Sequence, residues 1–148
     1  MDGAGKYRGG SGTCWEVEPL DKPMDFITFG EGRHTPAAGA AGAFSRMVES
    51  KVGRIEINRG GKVETIKKNV IEVINPGERA ANMNPGGGGY GNPLERNPER
   101  VLKDVLENWE TMERAYDVYG VVLDGECEDE TLSINLPDTE KRRAELSA

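Results

Sequence analysis

The first half of the chain alternates apolar and polar residues with the two-residue period of a β-strand. This pattern predicts strands within residues 13–20, 24–32, 52–73 and 69–78. The clearest segment is 52–73, where two β-prone runs flank Gly60 and Gly61. Two glycines between such runs favour a hairpin, because the tight primed turns need positive φ. The strand in 69–78 is expected to stop at Pro76 and Gly77.

After Asn97 the pattern changes to the period of an α-helix. One apolar face recurs at helical spacing and contains Val101, Leu102, Val105, Leu106 and Trp109. Asn97 is a suitable N-cap and Pro98 suits the first helical position. A second helix is predicted from Thr111 to Tyr119 and is ended by Gly120. A short strand in 121–124 completes the pattern.

The order of these elements predicts an α+β fold. We expect a β-rich domain, built of hairpins as a small sheet or a barrel, followed by a helical pair and a polar tail. The domain should span residues 1–124 and the tail residues 125–148.

Composition changes this picture in one respect. The 148 residues include 20 glycines and only 36% apolar residues, which is a thin core for a chain of this length. Part of the chain is therefore irregular, or part of its surface is buried against another protein. The net charge of −7 argues against a nucleic-acid partner. With two cysteines, no apolar leader and no membrane-length apolar run, we expect a cytoplasmic protein that does not enter a membrane.

The sequence "PGGGGYG" at residues 85–91 is the most unusual stretch. Gly-x-Gly-x-x-Gly fits formally within 86–91, but Pro93 blocks a helix directly after it, and no lysine or hydroxyl residue follows Gly91 as a phosphate loop requires. Two other interpretations remain open. The run forms a tight turn where backbones pack closely, or it packs against a partner or lines the partner's pocket.

Other candidates for chemistry are incomplete. Arg8, Arg33 and Arg96 lie beside glycine- or proline-rich turns, where each could clamp a carboxylate or phosphate or form an ion pair. His34 is the only histidine, and nothing in the sequence places Cys14 near it, so we expect no catalytic residue. The acidic stretch around Cys127 lacks the spaced ligands of a zinc site, so we expect no metal on this chain.

The ordered series of motifs adds a family resemblance. Residues 85–124 closely resemble the C-terminal end of the hydantoinase B, oxoprolinase and acetone carboxylase family, which reads Pro-Gly-Gly-Gly-Gly-Tyr-Gly-Asp-Pro before its helix. Asn92 and Asn97 stand here in place of the usual aspartates. Residues 3–12, "GAGKYRGGSG", and 33–43, "RHTPAAGAAGA", are similar to two further glycine-rich motifs of that family.

The resemblance implies a function that the residues alone do not. Within the family the chain is most similar to the small subunit of the acetophenone carboxylase group, an ATP-dependent, biotin-independent ketone carboxylase that forms a carbon–carbon bond. ATP, bicarbonate and a divalent metal are then expected for the whole complex, with hydantoinase A-like and B-like large subunits as partners. The residues implied to contact substrate or partner are Arg8, Arg33, Gly86, Gly87, Gly88, Gly89, Tyr90 and Arg96.

Two alternatives stay open. The chain could serve an ATP-dependent cyclic-amide hydrolase of the hydantoinase, oxoprolinase or lactamase kind, because the substrate pocket is expected mostly outside these residues. It could also be an independent small binding module.

Overall fold

The computed structural model describes residues 3–29, 37–43, 53–66, 71–127 and 131–148. The strands in these ranges are β1 (Thr13–Val17), β2 (Met24–Ile27), β3 (Arg54–Arg59), β4 (Lys62–Ile66), β5 (Ile71–Ile74), β6 (Arg79–Asn84), β7 (Leu123–Asp124) and β8 (Ser133–Ile134). The helices are α1 (Pro98–Leu106), α2 (Met112–Asp117) and α3 (Leu136–Ser147), with a 3₁₀ turn at Pro93–Glu95. None of the helices in these ranges is long and apolar enough to span a membrane.

The strands form small antiparallel sheets. The largest has the order β1-β6-β3-β4, while β2 pairs with β5 and β7 pairs with β8. Over the described ranges these sheets do not close into a barrel. The predicted α+β class is confirmed, with small sheets rather than a barrel before the C-terminal helices.

The β3–β4 hairpin confirms the turn prediction. Gly60 and Gly61 take φ values of 59° and 88°, and the Asn58 side chain accepts a hydrogen bond from the Gly61 amide at 2.9 Å. Ile57 of β3 and Ile74 of β5 are both completely buried, so the hairpin contributes to one of the two hydrophobic cores that the described residues form. That sheet core contains Phe26, Ile55, Ile57, Ile66, Ile74 and Ala80.

Strand β6 is absent from the predictions, although it lies at the centre of the largest sheet between β1 and β3. Its sequence, RAANMN, carries small and amide side chains, and only Ala80 is fully buried. The strand is defined by the backbone pairing on both of its edges rather than by an apolar alternation that a sequence pattern detects.

The helical region has its own core, formed by Ala4, Val101, Val105, Ala115, Tyr119, Val121 and Leu132. The predicted N-cap is confirmed, since the Asn97 side chain accepts from the Glu99 amide at 2.8 Å. Gly120 takes a φ of 61°, but α2 ends at Asp117 with Val118 as its C-cap, before the predicted end at Tyr119. The predicted apolar face extends too far, because Leu106 and Trp109 are 48% and 46% exposed. Helix α1 ends at Leu106, and the positive φ of 59° at Asn108 turns Trp109 out of the helical repeat.

Helix α3 lies in the segment expected to be a polar tail. Asn135 caps it by accepting from the Asp138 amide at 3.1 Å. The buried Thr139 hydroxyl accepts from the Val122 amide at 3.0 Å, and Arg143 donates to the carbonyl oxygens of Tyr119 and Arg96. These polar contacts join α3 to the rest of the chain. The domain boundary at residue 124 stays a prediction.

Candidate functional site

The glycine run lies between two other extended segments of the same chain. On one side it pairs with residues 3–10: the Gly3 amide donates to the Gly87 carbonyl at 2.9 Å, and Tyr7 and Tyr90 exchange two backbone hydrogen bonds of 2.9 Å each. The Gly87 amide also donates to the Gly10 carbonyl at 2.8 Å. The predicted motif around Arg8 and the glycine run are therefore direct neighbours.

The other side of the run contacts residues 38–40. Ala40 donates its amide to the Gly89 carbonyl at 3.0 Å and accepts from the Gly91 amide at 2.9 Å. We call the three segments 3–10, 38–40 and 86–91 the glycine layer. Three of the segments that resemble family motifs thus meet in one place.

Close backbone approach explains why glycine is needed in this layer. A Cβ on Gly88 would overlap the Ala38 carbonyl, one on Gly89 the Ala4 carbonyl, and one on Gly9 the Gly87 carbonyl. Within the run only Gly91 takes a positive φ, of 77°. Close backbone packing is found within this chain, against residues 3–10 and 38–40, whereas we expected it largely against a partner. Contact of the run with a partner stays a prediction.

The same hydrogen bonds bear on phosphate binding. The amides of Gly87, Tyr90 and Gly91 donate to carbonyl oxygens of the chain itself. A phosphate cradle needs such amides to point at the ligand. These three amides of the glycine run are therefore directed at the chain's own carbonyl oxygens and not at a ligand.

Arg96 and Asp104 form a buried ion pair behind the glycine layer. Nη2 of Arg96 lies 2.7 Å from Oδ2 of Asp104, and the two side chains are only 7% and 9% exposed. Nη1 of Arg96 donates to the Lys6 carbonyl at 3.2 Å. The pair therefore ties α1 to the N-terminal segment of the layer.

Arg8 approaches the same carboxylate from the other side. Its Nη2 lies 3.8 Å from Oδ1 of Asp104, and its guanidinium stacks 5.4 Å from the centre of the Trp109 ring. Two of the three candidate arginines, Arg8 and Arg96, thus converge on one acid within the chain. Arg33 lies outside the described residues, as does His34.

A second buried network stands beside the first. Glu110 accepts from Nε of Arg114 at 2.6 Å and from the Tyr119 hydroxyl at 3.1 Å. Burial, reinforced by the neighbouring Glu110 charge, raises the pKa of Tyr119 well above its ordinary value. The hydrogen bond to Glu110 raises the pKa of Arg114. These shifts stabilise a neutral phenol and a charged guanidinium.

Sequence reasoning missed Asp104, Glu110 and Arg143. Asp104 carried a usable signal, because an acid between Val101 and Val105 on an apolar helix face needs a buried partner. Glu110 follows the end of the helix and Arg143 lies in the predicted polar tail. The hydrophobic pattern therefore did not distinguish either residue from a solvent-exposed charge.

The remaining candidates lie at the edge of the layer. Tyr90 is 58% exposed, with its ring centre 6.4 Å from that of Tyr7. Gly86 is partly buried beside Gly12. Among the described residues no three acidic, histidine or cysteine side chains group closely enough to hold a metal ion, so the metal expected for a complex has no fitting site in these ranges.

Known proteins of one family are similar to this chain in sequence and in structure. The family model described as hydantoinase B/oxoprolinase matches residues 1–93. The chain is 49% identical over 125 residues, 83% of its length, to caprolactamase subunit beta of Pseudomonas jessenii. The crystal structure of the ATP-dependent caprolactamase from Pseudomonas jessenii covers 97% of the chain with a TM-score of 0.73 and 41% identity.

A more distant structure has the same fold. The nucleotide-free structure of acetone carboxylase, from a study of ATP-dependent acetone carboxylation, covers 99% of the chain with a TM-score of 0.67 and 21% identity. The chain spans only about a fifth of caprolactamase subunit beta and about a quarter of each solved chain: 21%, 24% and 23%. On the match of the family model and the identity to caprolactamase subunit beta, the chain belongs to the hydantoinase B/oxoprolinase family.

Proposed function

We propose that this chain forms a structural, non-catalytic part of a hydantoinase B-like subunit in an ATP-dependent enzyme that opens cyclic amides. The observation that carries the structural role is the buried pairing of Arg96 with Asp104, which engages a candidate ligand-binding arginine in packing. The activity is inferred from the 49% identity to a caprolactamase subunit.

The geometry supports a structural role in two further ways. The glycine layer uses its backbone amides to join three segments of the chain. The guanidinium groups of Arg8 and Arg96 both form ion pairs with Asp104, so each has a charged partner within the chain. The chain then acts by holding a rigid backbone surface in place, and bond making and breaking are carried out elsewhere in the complex.

The choice of a cyclic amide reverses the order of the two activities raised by the sequence. The ketone carboxylase was the first, through the acetophenone carboxylase group, yet the carboxylase structure is only 21% identical and supports the fold alone. The solved caprolactamase chain, compared in the same way, is 41% identical. ATP remains part of the proposal, whereas bicarbonate belongs only to the carboxylase alternative.

The test is a substrate comparison on the purified complex. The chain is co-expressed with candidate hydantoinase A-like and hydantoinase B-like chains, and ATP hydrolysis is measured with caprolactam, 5-oxoproline or hydantoin. Acetone and acetophenone with bicarbonate form the parallel series. We expect ATP hydrolysis to rise with at least one cyclic amide, together with opening of its ring.

Stimulation only by a ketone and bicarbonate would replace the proposal with the carboxylase alternative. A folded monomer that binds none of the other chains and takes a ligand of its own would replace it with the independent binding module.

A further inference from the structure

The sheet formed by β2 and β5 has an apolar outer face. Phe26 and Ile74 point into the sheet core, whereas Ile27, Ile71 and Val73 are 59%, 68% and 49% exposed. Ile27 lies directly opposite Ile71 in the antiparallel register. Three β-branched residues on the outer side of one two-stranded sheet are typical of a surface that another element covers, because such a sheet is marginal when left open.

A groove of about 180 Å³ lies at the edge of β2, and its lining includes Phe26 and Trp15 as well as Ile27 and Phe29. Trp15 packs edge-on against Phe26, with 5.9 Å between ring centres, and so lies on the core side of β2. Phe29 is 81% exposed. We call Ile27, Phe29, Ile71 and Val73 the β2–β5 surface.

The relatives indicate what covers this surface. In caprolactamase subunit beta the matching region is 21% of the length, so about four fifths of that subunit lies outside the region that these residues match. In the solved caprolactamase chain about three quarters of the length lies outside the matching region. The part of the family fold that this chain does not span is therefore several times larger than the matching region and is available to bury an apolar face.

We propose that the β2–β5 surface docks onto the remainder of a hydantoinase B-like subunit, meaning the part of the relatives' length that these residues do not span. The inference rests on the proposed function for its partner, but the surface is assigned from exposure and register. Asp25 lies opposite Val73 on the same face, so the surface combines three apolar side chains of the sheet with one acidic side chain.

A matched pair of substitutions tests the surface. Val73→Glu places a charge in it, while Val63→Glu changes an equally exposed valine on β4, where Val63 is 56% exposed and its neighbours Lys62 and Glu64 are exposed and charged. Each variant of this chain is titrated against the remainder of the subunit, produced as a separate polypeptide, and binding is followed by light scattering. We expect Val73→Glu to weaken association at least tenfold and Val63→Glu to change it less than twofold.

A photo-crosslinking residue at position 71, compared with one at position 63, gives a second measurement. This measurement reports contact directly and does not rely on a substitution that weakens binding. Crosslinks from position 71 to the remainder of the subunit support the proposal. Equal affinity of the two glutamate variants, or crosslinks from position 71 to a second copy of this chain or to the hydantoinase A-like chain, would overturn it.

The readout separates this inference from the proposed function, because binding is measured without substrate. Normal association of Val73→Glu in a complex that still opens a cyclic amide would refute the docking surface alone. Loss of association by Val73→Glu in a complex that carboxylates ketones would refute the proposed activity alone.

Discussion

Nη2 of Arg96 donates to Oδ2 of Asp104 at 2.7 Å, and both side chains are more than nine-tenths buried. The pair spans the boundary between the glycine layer and helix α1, since Arg96 also donates to the Lys6 carbonyl. A buried charge is stable only while it is paired and hydrogen-bonded. The position of helix α1 and the position of the N-terminal segment of the glycine layer therefore depend on each other.

Asp104→Asn should therefore destabilise the chain strongly. The change keeps the shape of the side chain but leaves Arg96 without its counter-charge, and breaking a buried pair costs about 3–5 kcal/mol in the free energy of unfolding. Chemical denaturation followed by circular dichroism measures the loss. Glu95→Gln is the control, because its ion pair with Lys6 is exposed to solvent and should contribute little to stability. Equal losses in the two variants would show that the buried pair has no special role.

Gly88→Ala should destabilise the glycine layer. Its Cβ would overlap the backbone of Ala38, which has no flexible end to move aside, so we expect a loss of about 1–3 kcal/mol or more. Gly87→Ala is the matched control in the same run, since its Cβ would lie 3.4 Å from the Gly10 nitrogen, an ordinary contact. Thermal unfolding compares the two. A Gly88→Ala melting temperature at or above that of Gly87→Ala would contradict close packing as the reason for glycine.

The helical core offers a test of which apolar positions matter. Val101 is completely buried and Leu106 is 48% exposed, although both belong to the predicted apolar face. Val101→Ala should lower the free energy of unfolding by about 2 kcal/mol through lost burial and a cavity. Leu106→Ala should change it by about 0.5 kcal/mol or less. Denaturant titration would contradict the described end of α1 if Leu106→Ala were the more costly change.

Tyr119 predicts an alkaline limit to stability. Its folded pKa is raised mainly by burial, while the phenol of the unfolded chain ionises at about pH 10. Above that pH the unfolded state binds fewer protons than the folded state, so the contribution is complete below about pH 10 and is lost as the pH rises further. Melting temperatures between pH 8 and 11 should fall more steeply for the unmodified chain than for Tyr119→Phe.

Tyr116→Phe is the control for this titration, because Tyr116 is 44% exposed. The absorbance of ionised tyrosine should show a late step in the folded chain that is absent in Tyr119→Phe and present in Tyr116→Phe. A folded chain in which Tyr119 ionises at its ordinary pKa would refute its burial.

The sequence predicts those parts of the fold that local chemistry determines. The β3–β4 turn follows from Gly60 and Gly61, and the start of α1 follows from Asn97 and Pro98. The centre of the main sheet was not predictable in this way, because β6 is identified by its two neighbours and not by its own side chains. Helix α3 was missed for a similar reason: Thr139 and Arg143 hold it through hydrogen bonds to backbone groups, which leave no apolar periodicity.

The candidate site divides in the same manner. Composition and family resemblance identified Arg8, Arg96 and the glycines as unusual. The ion pairs of both arginines with Asp104 could not be predicted, because they depend on which residues lie close together in the folded chain. The physical reason for glycine differs along the run. Positive φ applies to Gly91, whereas at Gly88 and Gly89 the neighbouring backbone excludes a side chain.

Reconstitution tests the central claim most directly. The hydantoinase A-like chain and the remainder of the hydantoinase B-like subunit are purified separately and mixed with or without this chain, and ATP hydrolysis driven by a cyclic amide is measured. The account predicts that ring opening requires this chain, that this chain alone has no such activity, and that Asp104→Asn restores less of it than Glu95→Gln. Full amide-dependent activity in the mixture that lacks this chain would contradict the account.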